Sequence, residues 1–150
     1  MPRSFNDLKI GDEFITREAQ ITEAEILDFA RRFDPQPFHL DHDAGEASVF
    51  GGLVASGWHT ASFAHELMMT DPGFDINGIG VGRRIQQLDW LKPVFPEDRL
   101  HVKITILDLK PPPKPGLMGR AVIRTETINH KGETVMRAQA LIVLPERDGE

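Results

Sequence analysis

The run Phe33-Asp34-Pro35-Gln36-Pro37-Phe38-His39-Leu40-Asp41, followed by Gly51-Gly52-Leu53-Val54-Ala55-Ser56-Gly57-Trp58-His59, decides how this chain is read. The first run puts a carboxylate and an imidazole on a segment stiffened by Pro35 and Pro37, each of which fixes its own φ and restricts the residue before it. The second passes through glycines into a helix expected from about Ser56 to Met69, ending before Asp71-Pro72-Gly73. Trp58, Ala61, Ala64, Leu67 and Met68 are its apolar positions, and small residues are spread along it, so burial is expected on more than one side.

Working outward, Thr22-Glu23-Ala24-Glu25 has the form of a capping box, and Ile26, Phe29, Ala30 and Phe33 follow at helical spacing. Pro35 ends that helix at Asp34. Glu13 to Thr16 reads as a short strand upstream. Asp43 to Phe50 reads as a short helix with Asp41 or Asp43 as its cap, broken by Gly51-Gly52.

Beyond Gly73 the pattern turns to β. Leu100, Val102, Ile104 and Ile106 alternate with His101, Lys103 and Thr105. Gly80–Leu91, Gly119–Ile128 and Thr134–Leu144 are further strands, the last two joined by a turn at Asn129-His130-Lys131-Gly132. The proline-rich stretch from Lys110 to Gly116 reads as a stiff connection rather than a polyproline ligand. The fold class is α+β, a curved antiparallel sheet covering a long helix, in a single domain over residues 1–150.

Composition narrows the function. The absence of cysteine excludes disulfides and thiolate metal sites. The N-terminus carries no long apolar segment and no run is long enough to span a bilayer, so a cytoplasmic protein without membrane attachment is expected. A net charge of -6 disfavours nucleic-acid binding, which needs a clustered positive face. It leaves room for a phosphate-bearing small molecule. Arg83, Arg84 and Lys92 flank one strand and Lys110 and Lys114 lie near a loop, where a solvated strand edge is the plainer reading.

Asp34 and His39 are the candidate acid/base pair, with Phe33 and Phe38 supplying apolar flanks that would perturb both groups in a closed site. Either residue also has an ordinary structural reading, as a helix terminator and a half-buried ring. Asp41 would either orient the imidazole or cap the next helix. Five residues of extended chain reach about 16 Å, so the segment must curl for the two groups to share one water. A helix opening at Ser56-Gly57 offers unpaired N–H groups and a positive dipole end, an oxyanion site, unless the glycines serve only a turn and close packing. His39-Leu40-Asp41-His42 lacks further metal ligands at a recognisable distance, Ser62 lacks the context of a serine nucleophile, and no nucleotide-cofactor loop is present; no metal or cofactor is expected.

The Asp34–Asp41 stretch, with Phe29 before it and Phe50 to Gly57 after it, resembles the MaoC-like dehydratases, relatives of the R-specific enoyl-CoA hydratases, whose motif runs roughly Gly-Asp-x-Asn-Pro-Ile-His-x-Asp. Leu88 to Leu100 is similar to the family's Pro-Val-x-x-Gly-Asp segment. The resemblance implies a hot-dog fold and a homodimer or dimer of dimers with sites near the subunit interface. It implies reversible addition of water to a trans-2-enoyl thioester carried by CoA or an acyl carrier protein, with Asp34 and His39 activating the water and the Gly57 amide polarising the carbonyl. Gly52, Ser56, Phe33, Phe38 and Trp58 are expected to border the substrate. The chain departs from the motif at Phe33 and Gln36, both expected to crowd the acyl pocket, and at Pro96-Glu97-Asp98, where a differently built turn is expected.

Two other functions share parts of this pattern. A hot-dog thioesterase usually needs a carboxylate on the central helix, and Glu66 is the acid there, about 13.5 Å from Gly57 along the axis. A non-catalytic acyl-thioester binding subunit would not need both Asp34 and His39.

Overall fold

A computed structural model describes residues 2–147. Two short strands, β1 (Glu13–Ile15) and β2 (Ala19–Gln20), precede helix α1 (Glu23–Phe33). Helices α2 (Pro37–Leu40), α3 (His42–Ala47) and α4 (Gly57–Thr70) follow, then strands β3 (Val81–Trp90), β4 (Arg99–Lys110), β5 (Gly119–Asn129) and β6 (Thr134–Leu144). The strands form one antiparallel sheet in the order β1-β4-β5-β6-β3, with β2 also paired to β4. This is the expected α+β arrangement of a long helix against a curved sheet.

Local chemistry sets the boundaries. The capping box at Thr22 forms in both directions, Glu25 N donating to the Thr22 hydroxyl and Thr22 N to the Glu25 carboxylate, each at 3.2 Å. Asp34 takes a non-helical φ of -151° ahead of Pro35 while its N–H still donates to Ala30 O. At the far end of α4, the Asp71 carboxylate accepts from Arg17 N and Gly73 N, so the helix stop is tied to the start of the sheet. Gly132 supplies the positive φ of 79° in the β5–β6 hairpin.

The alternating residues of β4 face inward: Leu100, Val102, Ile104 and Ile106 are all buried and pack in one core with Ala64, Leu67 and Met68 of α4. Such burial stabilises by about 1.5–3 kcal/mol for each large aliphatic side chain. Only one side of α4 is covered, however. Trp58, Ser62, His65 and Glu66 are exposed, which corrects the expectation of burial on more than one side. The sheet of one chain reaches one face of the helix.

The Pro96-Glu97-Asp98 turn also differs from expectation. Glu97 adopts a φ of 71°, the left-handed conformation that glycine takes easily and that costs other residues about 1–2 kcal/mol. Its carboxylate accepts from Glu23 N at the first turn of α1, and its N–H donates to Ile21 O at 2.7 Å. The glycine-type backbone is retained, and the side chain that replaces glycine is used to terminate α1 favourably.

Candidate active site

The curl that spacing left open is provided by α2. Pro37 occupies the first turn, where its missing N–H is no loss, and His39 N donates to Gln36 O. The turn brings His39 Nε2 to 3.3 Å from Asp34 Oδ2, with both side chains largely buried. His39 Nδ1 lies 2.7 Å from Val54 O. A carbonyl only accepts, so Nδ1 carries a proton there, and Nε2 is the ring nitrogen left facing Asp34. The same two segments are joined again by Val54 N donating to Phe38 O.

Asp34 is held from two further sides. The Gln36 side chain donates to Oδ1 at 2.6 Å, and the fully buried Ser56 hydroxyl donates to Oδ2 at 2.7 Å. Ser56 Oγ also accepts from Trp58 N at 3.3 Å and so caps α4. Burial alone would raise the Asp34 pKa, but the hydrogen bonds from Gln36 and Ser56, with His39 beside it, outweigh burial and bring it below its ordinary value.

Asp34, Gln36, Phe38, His39, Gly57 and Trp58 border one open cavity of about 390 Å³, closed on the other side by Trp90 to Val94. Gly57 opens α4, and among the described residues its N–H has no protein acceptor, while the next amide is taken by Ser56. Gly57 is also where Trp90 packs: the indole N–H donates to Gly57 O at 2.8 Å, and a Cβ on Gly57 would lie 2.6 Å from the ring. Glycine here serves both a free amide and a close aromatic neighbour.

Other expected residues fall elsewhere. Phe33 is exposed, tilted against Phe29 with the Arg32 guanidinium over it, and does not border the cavity, so it does not crowd the pocket of this chain. Gln36 does border the cavity. Gly52 lies against Phe95, and Ser56 sits behind Asp34 rather than on the cavity surface. Asp41 caps α3 by accepting from Ala44 N, which resolves its two readings. Glu66 is exposed on α4, away from the cavity. Lys92 pairs with Glu133. His59 is buried and stacks on Phe29 at 4.8 Å; burial pushes its pKa down against the pull of Glu25, as suits a neutral packing ring.

Sequence reasoning missed Trp90, the Val54 carbonyl and the Ser56 hydroxyl as a partner of Asp34. A strand-terminal tryptophan and a serine at a helix N-cap were the available signals, but neither says what it meets.

The lowered Asp34 pKa has a thermodynamic consequence. A carboxylate whose folded-state pKa is depressed stabilises the fold above its unfolded value, near 3.8, and that contribution is lost as pH falls through the folded value. Urea denaturation of wild type and Asp34→Asn should therefore show a stability gap at neutral pH that narrows as pH drops below 3.8. A gap that widens in acid would contradict the assignment.

Comparison with known proteins agrees with the geometry. The family model described as "MaoC like domain" matches residues 6–126. The structure of a MaoC-like dehydratase from Rhodospirillum rubrum superposes with a TM-score of 0.90 at 38% identity, covering 97% of this chain and 98% of that one. An (R)-specific enoyl-CoA hydratase of Rhodospirillum rubrum is 27% identical over 144 residues, covering 95% of this chain and 92% of its own. The Bacillus subtilis protein YdeM, described as uncharacterized, is 28% identical over 139 residues, covering 93% of this chain and 96% of its own. The fold is the hot-dog fold of these dehydratases, and the chain belongs to the MaoC-like family.

Proposed function

We propose that this protein catalyses the reversible addition of water to a trans-2-enoyl thioester carried by CoA or an acyl carrier protein, with the R-specific outcome named for its hydratase relative. The observation that supports this most strongly is the meeting of Asp34, His39 and the free Gly57 amide on one cavity. In the Nδ1–H tautomer, His39 Nε2 and Asp34 Oδ2 are neighbouring acceptors, and one water seated on the cavity side of both donates a hydrogen bond to each.

In the forward direction the water oxygen bonds to C3 of the enoyl group. The C2=C3 π electrons move toward the thioester carbonyl, whose oxygen gathers negative charge. Gly57 N–H, at the positive end of α4, stabilises that charge; one such donor contributes roughly 3–4 kcal/mol to a transition state. The proton removed from water passes to the Asp34/His39 pair and from there to C2, which completes the addition without any other reactant. Ser56 and Gln36 keep Asp34 ionised and oriented. Phe38, over the His39 ring edge at 4.6 Å, and Trp58 are the apolar walls for the acyl group.

The reading extends to a homodimer. β3 has one ladder neighbour, β6, and leaves Val81 and Ile85 exposed along its edge. A long exposed edge strand offers unpaired N–H and C=O groups, and a second copy paired along β3 would cover them. Sedimentation at micromolar concentration should give a dimer; a monomer there would contradict this part of the reading.

The activity is tested by following loss of the conjugated-thioester absorbance with enoyl-CoA substrates of several chain lengths. Asp34→Asn and His39→Ala should each lower kcat by about 100-fold or more, the usual scale for a general acid–base group. If wild type and both variants are equally inert, the hydratase reading fails for these substrates. Release of free CoA would instead favour a thioesterase.

A further inference from the structure

Four cations that this reaction does not use meet on the sheet. Lys110 at the end of β4, Arg120 near the start of β5, and Arg83 and Arg84 on β3 line a cavity of about 610 Å³. Strand register assembles them. Lys110 stands opposite Arg120, Arg120 opposite Val143, and Val143 opposite Val81, while Arg84 stands opposite Leu141. Residues directly opposed across antiparallel strands share a face of the sheet. Neighbours on a regular strand would point to opposite faces, but the register shifts between Gly82 and Arg84, leaving Arg83 as the extra residue. The bulge lets both arginines border the same cavity.

The charge pattern here is opposite to that of the whole chain, which carries -6. Among the described residues, no carboxylate lines the cavity. Among the described residues, none of Arg83, Arg84, Lys110 and Arg120 forms a salt bridge, whereas Lys103, Arg124 and Arg137 on the same sheet each do. Asp108, on the strand of Lys110 and opposite Val122, is outside the lining. Like charges placed directly across two strands are destabilising, and Lys110–Arg120 is such a pair. Protection of a sheet edge would explain Arg83 and Arg84, but not Arg120, whose strand lies between β4 and β6. A bound anion would offset the repulsion of all four.

Apolar side chains share the lining with the cations. Leu117 and Met118 come from the proline-rich connection, and Leu141 and Val143 from β6. Cations beside exposed apolar side chains suit a ligand with both phosphates and a flat apolar group, and the volume falls within the range of about 300–1,000 Å³ common for small-molecule sites. A strand pairing along β3 would use its edge N–H and C=O groups and leave this face of the sheet open.

We propose that this cavity binds a nucleoside phosphate, its phosphates on Arg83, Arg84, Lys110 and Arg120 and its base against Leu117 and Met118. Two sources share that chemistry: a free nucleotide, or the nucleotide handle of a CoA thioester, the second of which rests on the hydratase reading above.

Calorimetric titration of the full chain at low salt with ADP, adenosine 3′,5′-bisphosphate, CoA and pyrophosphate tests the site. Saturable binding of a nucleotide is expected, weakened about tenfold or more by Arg84→Ala or Arg120→Ala, the scale of a lost charge-assisted hydrogen bond. Lys103→Ala, which removes a cation paired with Glu13, should leave it unchanged. A higher KM for enoyl-CoA at unchanged kcat in the arginine variants, with the bisphosphate and CoA preferred over ADP, identifies the CoA handle. Preference for ADP with unchanged KM identifies a free nucleotide. The proposal is overturned if no nucleotide binds at millimolar concentration, if all variants bind alike, or if pyrophosphate binds as tightly as ADP. Asp34→Asn separates the two readings: nucleotide titration should persist in that variant whether or not wild type proves to be a hydratase.

Discussion

The buried bond from His39 Nδ1–H to the Val54 carbonyl, at 2.7 Å, is the contact on which the site depends. It sets the imidazole tautomer and aims Nε2 at Asp34. It also joins the α2 turn to the segment that leads into α4, so the Asp34–His39 pair and the helix N-terminus are held in one frame. A buried hydrogen bond of this kind contributes about 0.5–1.5 kcal/mol net, but leaving the Val54 carbonyl unpaired would cost more than that gain. Backbone packing supports the frame: a Cβ on Gly45 of α3 would come within 2.5 Å of Leu53 N.

Ser56 carries the second connection. One hydroxyl donates to Asp34 and accepts from Trp58 N, so the orientation of the acid and the start of α4 share an atom. The cap consumes the Trp58 amide and leaves that of Gly57 for a ligand. The proposed oxyanion site and water-activating pair are thus built from adjacent groups, and the desolvation of Asp34 is offset by the Gln36 and Ser56 donors together with His39 beside it.

Much of this was legible where the chemistry is local. The Thr22 capping box, the stop at Asp34 before Pro35, the alternation of β4 and the Gly132 turn depend on residues within a few positions of each other, and the structure has them as read. The long-range contacts were not legible. Ser56 meets Asp34 from 22 residues away, and Trp90 meets Gly57 from 33 away. The cluster of Arg83, Arg84, Lys110 and Arg120 requires the register of four strands and a bulge, so in sequence those cations look like an ordinary solvated edge. Burial on more than one side of α4 did not follow, because small and apolar residues show that a helix can be covered, not how far one sheet will reach. Glu97 is a subtler case: its side chain hides a glycine-like backbone that only φ reveals.

The central claim is that Asp34 and His39 act as one unit on one water. A double-mutant cycle on hydration of an enoyl-CoA tests it directly, comparing kcat for Asp34→Asn, His39→Ala and the two together. Residues acting as a unit are strongly non-additive, so the double variant should lose little more than the worse single variant. Losses that multiply across the two substitutions would contradict the shared-water account and assign the two groups to separate steps.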